Sequence, residues 1–288
     1  MGNKDLNLHD VIKRQVLLIC NNLGFQAKQE YSGKDWRADV FVIVNDIKYA
    51  FEIQTTRQSL NRTLERQEKY KRDGIFGCWL FEKGQARMED EREDLPVFLI
   101  KNIENKTIVS IKDRKELPLE IFISDFLQNR IKFCKTLRLS KAEIKFVKVK
   151  CWKKECGSEY LIYYISDFTS PCNTKIFRNE EMWVSNKLAM SPEVMTKINE
   201  YTKFAKENNL KIGTIKERLS KTVGNSYLSF GCPKCDAIFG DWFLQETIID
   251  TIYGHGIFDK LLIKGDFKNR FGQDIPHWCH PGEHDFCE

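Results

Sequence analysis

WRADVFVIVNDIKYAFEIQTTRQSLNRTLERQEKYKRDGIFGCWLF, residues 36–81, is the stretch whose reading decides the fold. Two apolar runs, 38–44 and 49–53, carry acidic residues where a buried strand ordinarily has none. Asp39 opens the first run, Glu52 stands near the end of the second, and Gln54 follows two residues on. Side chains alternate across a strand, so Glu52 and Gln54 face one side and Ile53 the other. A carboxylate among apolar neighbours needs a partner, and a divalent cation is the simplest one. The D…E-x-Q pattern on two neighbouring strands therefore reads as a Mg²⁺ site suited to phosphodiester chemistry.

Outward from this stretch the elements follow in order. Leu8, Ile12, Val16, Ile19 and Leu23 recur at helical spacing over 7–23, and Gly24 suits the helix end. Strands are expected at 25–31, 37–44 and 48–54, with Asn45-Asp46 as a tight turn. A second helix spans 60–72 before Asp73-Gly74, and a fourth strand covers 75–81. Helix, three strands, helix, strand is the αβββαβ core of the restriction-endonuclease-like fold, an α/β class. Beyond a polar loop at 82–94 come a hairpin at 97–103 and 107–112, turning at Asn105-Lys106, and an amphipathic helix over 119–133. The basic run 135–150 suggests a domain boundary near 140. This leaves a nuclease-type domain over 1–140 and a smaller α+β domain over 141–288.

The 288 residues, 42% hydrophobic and 30% charged, can bury a core, and the net charge of +5 permits a nucleic-acid partner without requiring one. No apolar run approaches the roughly 18 residues of a membrane span, and the polar start lacks a secretory signal, so a cytoplasmic protein without membrane partners is expected. Arg62, Arg66 and Lys69 form a basic stripe on the second helix, suited to a phosphate backbone, although a solvated face reads the same way.

Residues 9–81 resemble the nuclease domain of the competence protein CoiA family, within the PD-(D/E)XK superfamily. The features that carry the likeness are His9-x3-Lys13, Arg37-Ala-Asp39-Val, Glu52-Ile-Gln54, Glu65-Arg66-x3-Tyr70-x3-Gly74-Ile75 and Trp79-Leu-Phe81. The resemblance implies a metal-dependent DNA endonuclease in which Asp39 and Glu52 bind Mg²⁺ or Mn²⁺, with the Ile53 carbonyl as a further ligand. Gln54 stands where the superfamily more often has lysine. An amide has no useful pKa, so Gln54 can orient water or phosphate but not act as a base. His9, with an unperturbed pKa of about 6.5, is the natural proton acceptor, and Lys13 suits a phosphate. Arg66 and Tyr70 join the nucleic-acid-binding candidates through the family pattern. DNA is the implied partner, alongside proteins of a DNA-processing or defence system; strandedness and oligomeric state stay open.

Cys151-x4-Cys156 and Cys232-x2-Cys235 read as one structural zinc site, since four thiolates leave no open position on a tetrahedral ion. CPKCDAIFGDWF resembles the second half of a zinc ribbon, here split by a helical insertion, and such a domain would help dock the substrate. His277, Cys279, His280, His284 and Cys287 gather in the tail as the raw material of a second metal site, which the sequence alone does not decide. Cys20, Cys78, Cys134 and Cys172 read as core or incidental residues. Two rival readings remain: a non-catalytic nucleic-acid-binding protein that uses the nuclease fold as a platform, and a zinc-dependent protein-interaction adaptor.

Overall fold

A computed structural model describes residues 7–82, 91–104, 106–112, 114–174, 183–253, 256–270, 275–282 and 285–287. The chain forms two compact units, Met1–Lys135 with Ile275–Glu288, and Thr136–Asp274.

In the first unit, helix α1 (Leu8–Asn22) starts where the Asn7 side chain accepts the Asp10 N–H at 2.9 Å, and it buries Ile12, Val16 and Cys20. Strands β1 (Gln26–Ser32), β2 (Arg37–Val44) and β3 (Ile47–Gln54) form an antiparallel meander. Asn45 and Asp46 both take positive φ (47° and 66°), as a two-residue hairpin turn between β2 and β3 demands. Helix α2 (Leu60–Arg72), capped by Ser59, then crosses to β4 (Ile75–Glu82), which runs parallel to β3. The order αβββαβ is the one expected from the sequence. Strand β5 (Val97–Ile103) pairs parallel to β4, and β6 (Lys106–Ile111) and β7 (Lys115–Pro118) complete a seven-stranded sheet in sequential order. The hairpin turn expected at Asn105 falls on a residue outside those described.

Strand alternation splits the core over the two faces of this sheet. Phe51, Ile53 and Leu80 pack with Ile12 and Val16 of α1 on one side. Ala50, Trp79 and Tyr70 pack on the α2 side. Full burial of each such large side chain contributes roughly 1.5–3 kcal/mol.

The third helix is shorter than expected. Helix α3 (Leu119–Leu127) ends at Gln128, and Asn129 turns the chain with a φ of 57°. What the periodicity continued as helix to 133 is instead a turn and strand β8 (Lys132–Cys134).

The second unit contains β9 (Arg138–Lys150), β10 (Glu159–Thr169), α4 (Ser185–Ala189), α5 (Pro192–Glu207), β11 (Thr214–Leu219), β12 (Ser226–Gly231), β13 (Ile238–Phe239), α6 (Asp241–Ile252) and β14 (Ile257–Lys268). Its sheets are ordered β10-β9-β14 and β11-β12-β13, all antiparallel. The basic run taken for a boundary is β9 itself: Leu139, Ala142, Ile144 and Phe146 are buried while Lys141 and Lys148 are exposed. The units therefore part between Lys135 and Thr136 rather than near 140. Phe146 stacks on Tyr201 at 4.0 Å between centroids, and Tyr163 meets Phe230 edge-on at 4.9 Å. No helix among the described residues is long and apolar enough to cross a membrane.

The tail belongs to the first unit, not the second. Strand β15 (His277–Cys279) pairs antiparallel with β8, His277 opposite Cys134. Trp278 enters the core against Phe98 (5.6 Å), Phe126 (6.0 Å) and Phe133 (5.5 Å). Its backbone N–H donates to Glu91 Oε2 at 2.8 Å, and its carbonyl accepts from Arg114 at 3.0 Å. Trp278→Ala is expected to cost about 3–5 kcal/mol, read from urea denaturation of the full chain.

Candidate functional site

The β2–β3 ladder runs from Val44 opposite Ile47 to Val40 opposite Phe51 and stops there. Beyond it a side chain replaces the missing backbone partner: Asp39 Oδ2 accepts the Ile53 N–H at 2.8 Å. This brings the Asp39 carboxylate beside Glu52, which lies completely buried on the α2 side of β3. Arg66 Nη2 donates to Glu52 Oε2 at 2.5 Å, and the Tyr70 hydroxyl is hydrogen-bonded to Oε1 and lies 3.0 Å from the Arg37 carbonyl. The Arg66 guanidinium also sits over the Trp79 ring, 5.0 Å from its centroid. Burial and the nearby Asp39 charge push the Glu52 carboxyl up to about 8, against the opposing pull of Arg66 and Tyr70.

Helix α2 approaches closely enough for these contacts because Gly77 of β4 has no side chain. A Cβ there would lie 2.2 Å from Gln67 Oε1, the atom that accepts the Trp79 indole N–H at 2.8 Å.

From α1, His9 Nε2 lies 3.3 Å from Asp39 Oδ2, and its Nδ1 lies 3.5 Å from Asp10 Oδ1. Lys13 is buried and committed to Glu30 and, at 3.3 Å, to Asp10; Arg37 reaches Glu30 at 2.5 Å. His9, Asp39, Glu52, Gln54, Arg62 and Arg66 all line one cavity of about 380 Å³. Asp39, Arg62 and Arg66 also line a neighbouring cavity of about 540 Å³, together with Arg37 and Lys69.

The stripe read from the sequence is thus divided. Arg62 and Lys69 border the open cavities, Arg66 pairs with Glu52, and Tyr70 is wholly buried beneath it. A buried hydroxyl cannot meet a phosphate backbone, so the geometry gives Tyr70 a different part, the orientation of Glu52. That pairing escaped the sequence reading, although Thr63, Gln67 and Tyr70 at helical spacing mark the inward face of α2. The donor set at Asp39 and Glu52 is hard oxygen beside one guanidinium, which fits a divalent Mg²⁺ or Mn²⁺ ion.

In the second unit the Sγ atoms of Cys151, Cys156, Cys232 and Cys235 all lie within 4.8 Å of one another. The Cys151–Cys235 and Cys156–Cys232 separations are 3.6 and 3.7 Å. Tetrahedral zinc with Zn–S near 2.3 Å places its sulfurs about 3.8 Å apart, so the cluster fits the ion. Both hairpins turn alike, with a left-handed residue after the second cysteine: Gly157 (φ 52°) and Asp236 (φ 55°). The Ser158 backbone N–H, aided by the neighbouring thiols, holds the Cys156 thiol down to about 7, whereas burial pushes Cys151 up to about 12.

A family model described as "Competence protein CoiA, nuclease-like domain" matches residues 7–158, and the cysteine cluster is compatible with a zinc ribbon. No curated protein and no solved structure matches the chain.

The pH dependence of stability reports on Glu52. The folded carboxyl keeps its proton up to about 8, whereas an unfolded glutamate releases it near 4.5. The folded state therefore binds more protons in between, and the stability of the metal-free chain falls as pH rises through that window. Glu52→Gln is expected to flatten the fall by at most about 1.4 kcal/mol per pH unit, measured by urea denaturation at several pH values.

Proposed function

Because the chain belongs to the CoiA nuclease-like family, we propose that it is a metal-dependent endonuclease of the PD-(D/E)XK kind, hydrolysing DNA phosphodiester bonds. The observation that carries this reading is the meeting of Asp39 and Glu52 where the β2–β3 ladder opens, with His9 against Asp39. A bound Mg²⁺ or Mn²⁺ ion supplies an acidified water and stabilises charge on the scissile phosphate.

The chain's own residues do the rest. Asp39 and deprotonated Glu52 would hold the cation, with the Ile53 carbonyl as a further oxygen. Arg66 and Tyr70 fix the Glu52 carboxylate in one orientation. His9, flanked by Asp39 and Asp10, takes up the proton lost by the attacking water, and the two carboxylates stabilise the imidazolium. Lys13, tied to Glu30 and Asp10, steadies Asp10 beside His9 and adds positive potential rather than gripping a phosphate directly. Gln54 orients water or a phosphate oxygen from the same cavity. Arg62 and Lys69 receive backbone phosphates, and the zinc-bearing unit helps dock the DNA.

A second reading has one observation in its favour: both Glu52 oxygens already have partners, Arg66 and Tyr70, which a platform that only binds nucleic acid would also show. Cleavage of single-stranded, duplex and branched DNA and of RNA, in Mg²⁺ and in Mn²⁺, separates the two. Cutting of DNA is expected, with Asp39→Ala and Glu52→Ala each abolishing it and His9→Ala lowering the rate by about 10²–10⁴-fold. Binding without cutting in either metal favours the platform. Arg62→Ala with Lys69→Ala is expected to weaken DNA binding and to reduce its logarithmic salt slope by about two.

A further inference from the structure

The first unit holds a second cluster of metal-ligating side chains, far along the chain from the carboxylate site. Strand alternation sends His277 and Cys279 to one face of β15 while Trp278 fills the core on the other. The chain then turns through Gly282 (φ 77°) and brings back Cys287. The ligand atoms of His277, Cys279 and Cys287 all lie within 4.8 Å of one another. All three residues are buried, His277 and Cys279 completely and Cys287 to 4% exposure.

We propose that His277, Cys279 and Cys287 bind a structural zinc ion that fastens the C-terminal tail to β8. Three observations carry the assignment. First, the imidazole is already oriented: His277 Nδ1 lies 2.6 Å from the Ile275 carbonyl. An N–H donated there puts the proton on Nδ1 and the lone pair on Nε2, the arrangement that metal-bound histidines use. Second, the donors are two sulfurs and one nitrogen, which suits zinc and not the hard cations that favour carboxylates. Structural zinc is four-coordinate, so these three donors form most of the tetrahedron and a fourth donor closes it.

Third, the pairing being fastened is too small to stand alone. Strands β8 and β15 form an isolated two-stranded sheet with three residues in each strand. Cys287 is anchored over the same sheet, its carbonyl accepting from Cys134 Sγ at 2.9 Å. His280, just past β15, reaches Asp125 at 2.7 Å from its Nε2. A metal closing the 279–287 loop would hold Trp278 in the core by constraining both ends of the turn.

Zinc content of the purified full chain, measured by elemental analysis under reducing conditions, tests this. Cys279→Ser with Cys287→Ser is expected to remove about one zinc equivalent per chain relative to wild type. Cys232→Ser with Cys235→Ser removes a different equivalent, so the two losses add. The wild type supplies a check that needs no variant: mercurial titration of its thiols should release zinc in two steps, and chelation should expose the 277–279 amides to hydrogen exchange. Unchanged zinc content in the Cys279/Cys287 variant, or a Cys279–Cys287 disulfide in the intact mass of the wild type, overturns the proposal.

Discussion

A carboxylate buried in the middle of a sheet is the constraint on which the first unit is arranged. Desolvating an unpaired charge costs far more than a domain's net stability, so Glu52 survives at that depth only with partners in place. Arg66 and Tyr70 supply them from one face of α2, and this requires the helix to lie close on β4. The bare Cα of Gly77 allows that approach, through the Gln67 amide and the Trp79 indole. Asp39 adds a second carboxylate by taking the place of a ladder hydrogen bond. Two carboxylates crowded beside one guanidinium at the edge of a cavity are a property of the fold, and their mutual repulsion helps keep the proton on Glu52 in the metal-free chain.

The same need for partners holds where strands are very short. Strand β13 has two residues and β15 has three, each too short to persist on ladder bonds alone. A cluster of four thiols stands beside the first, and an imidazole with two thiols beside the second. At Cys151, Cys156, Cys232 and Cys235 the spacing matches the edges of a zinc tetrahedron. At the tail, Trp278 anchors one face of β15 and the metal-ligating side chains occupy the other.

How far the sequence could be read follows from the range of the forces involved. Helix α2 was legible to the residue, because Asp73-Gly74 is a local stop signal at its end. The β2–β3 hairpin was legible because Asn45-Asp46 suits positive φ. Helix α3 was overextended, since Ile131 and Phe133 continue its apolar pattern although they pack after a turn. The run 135–150 reads as a boundary because its lysines mask the alternation of β9. In the site, the stripe Arg62, Arg66, Lys69 was visible, but its division between open cavities and a buried ion pair was not.

By itself the sequence determined the order of elements from α1 to β4, the placement of Asp39, Glu52 and Gln54 on neighbouring strands, and the two cysteine pairs. These rest on side-chain period, turn chemistry and short spacings, which act over a few residues. Only the tertiary structure decided that Arg66 and Tyr70 belong to Glu52 and that the tail returns to β8. Those facts depend on contacts between distant positions, as in Cys134 and Cys287, 153 residues apart. No local preference encodes such a meeting; it follows from the burial of Trp278 and the sheet that brings the two segments together.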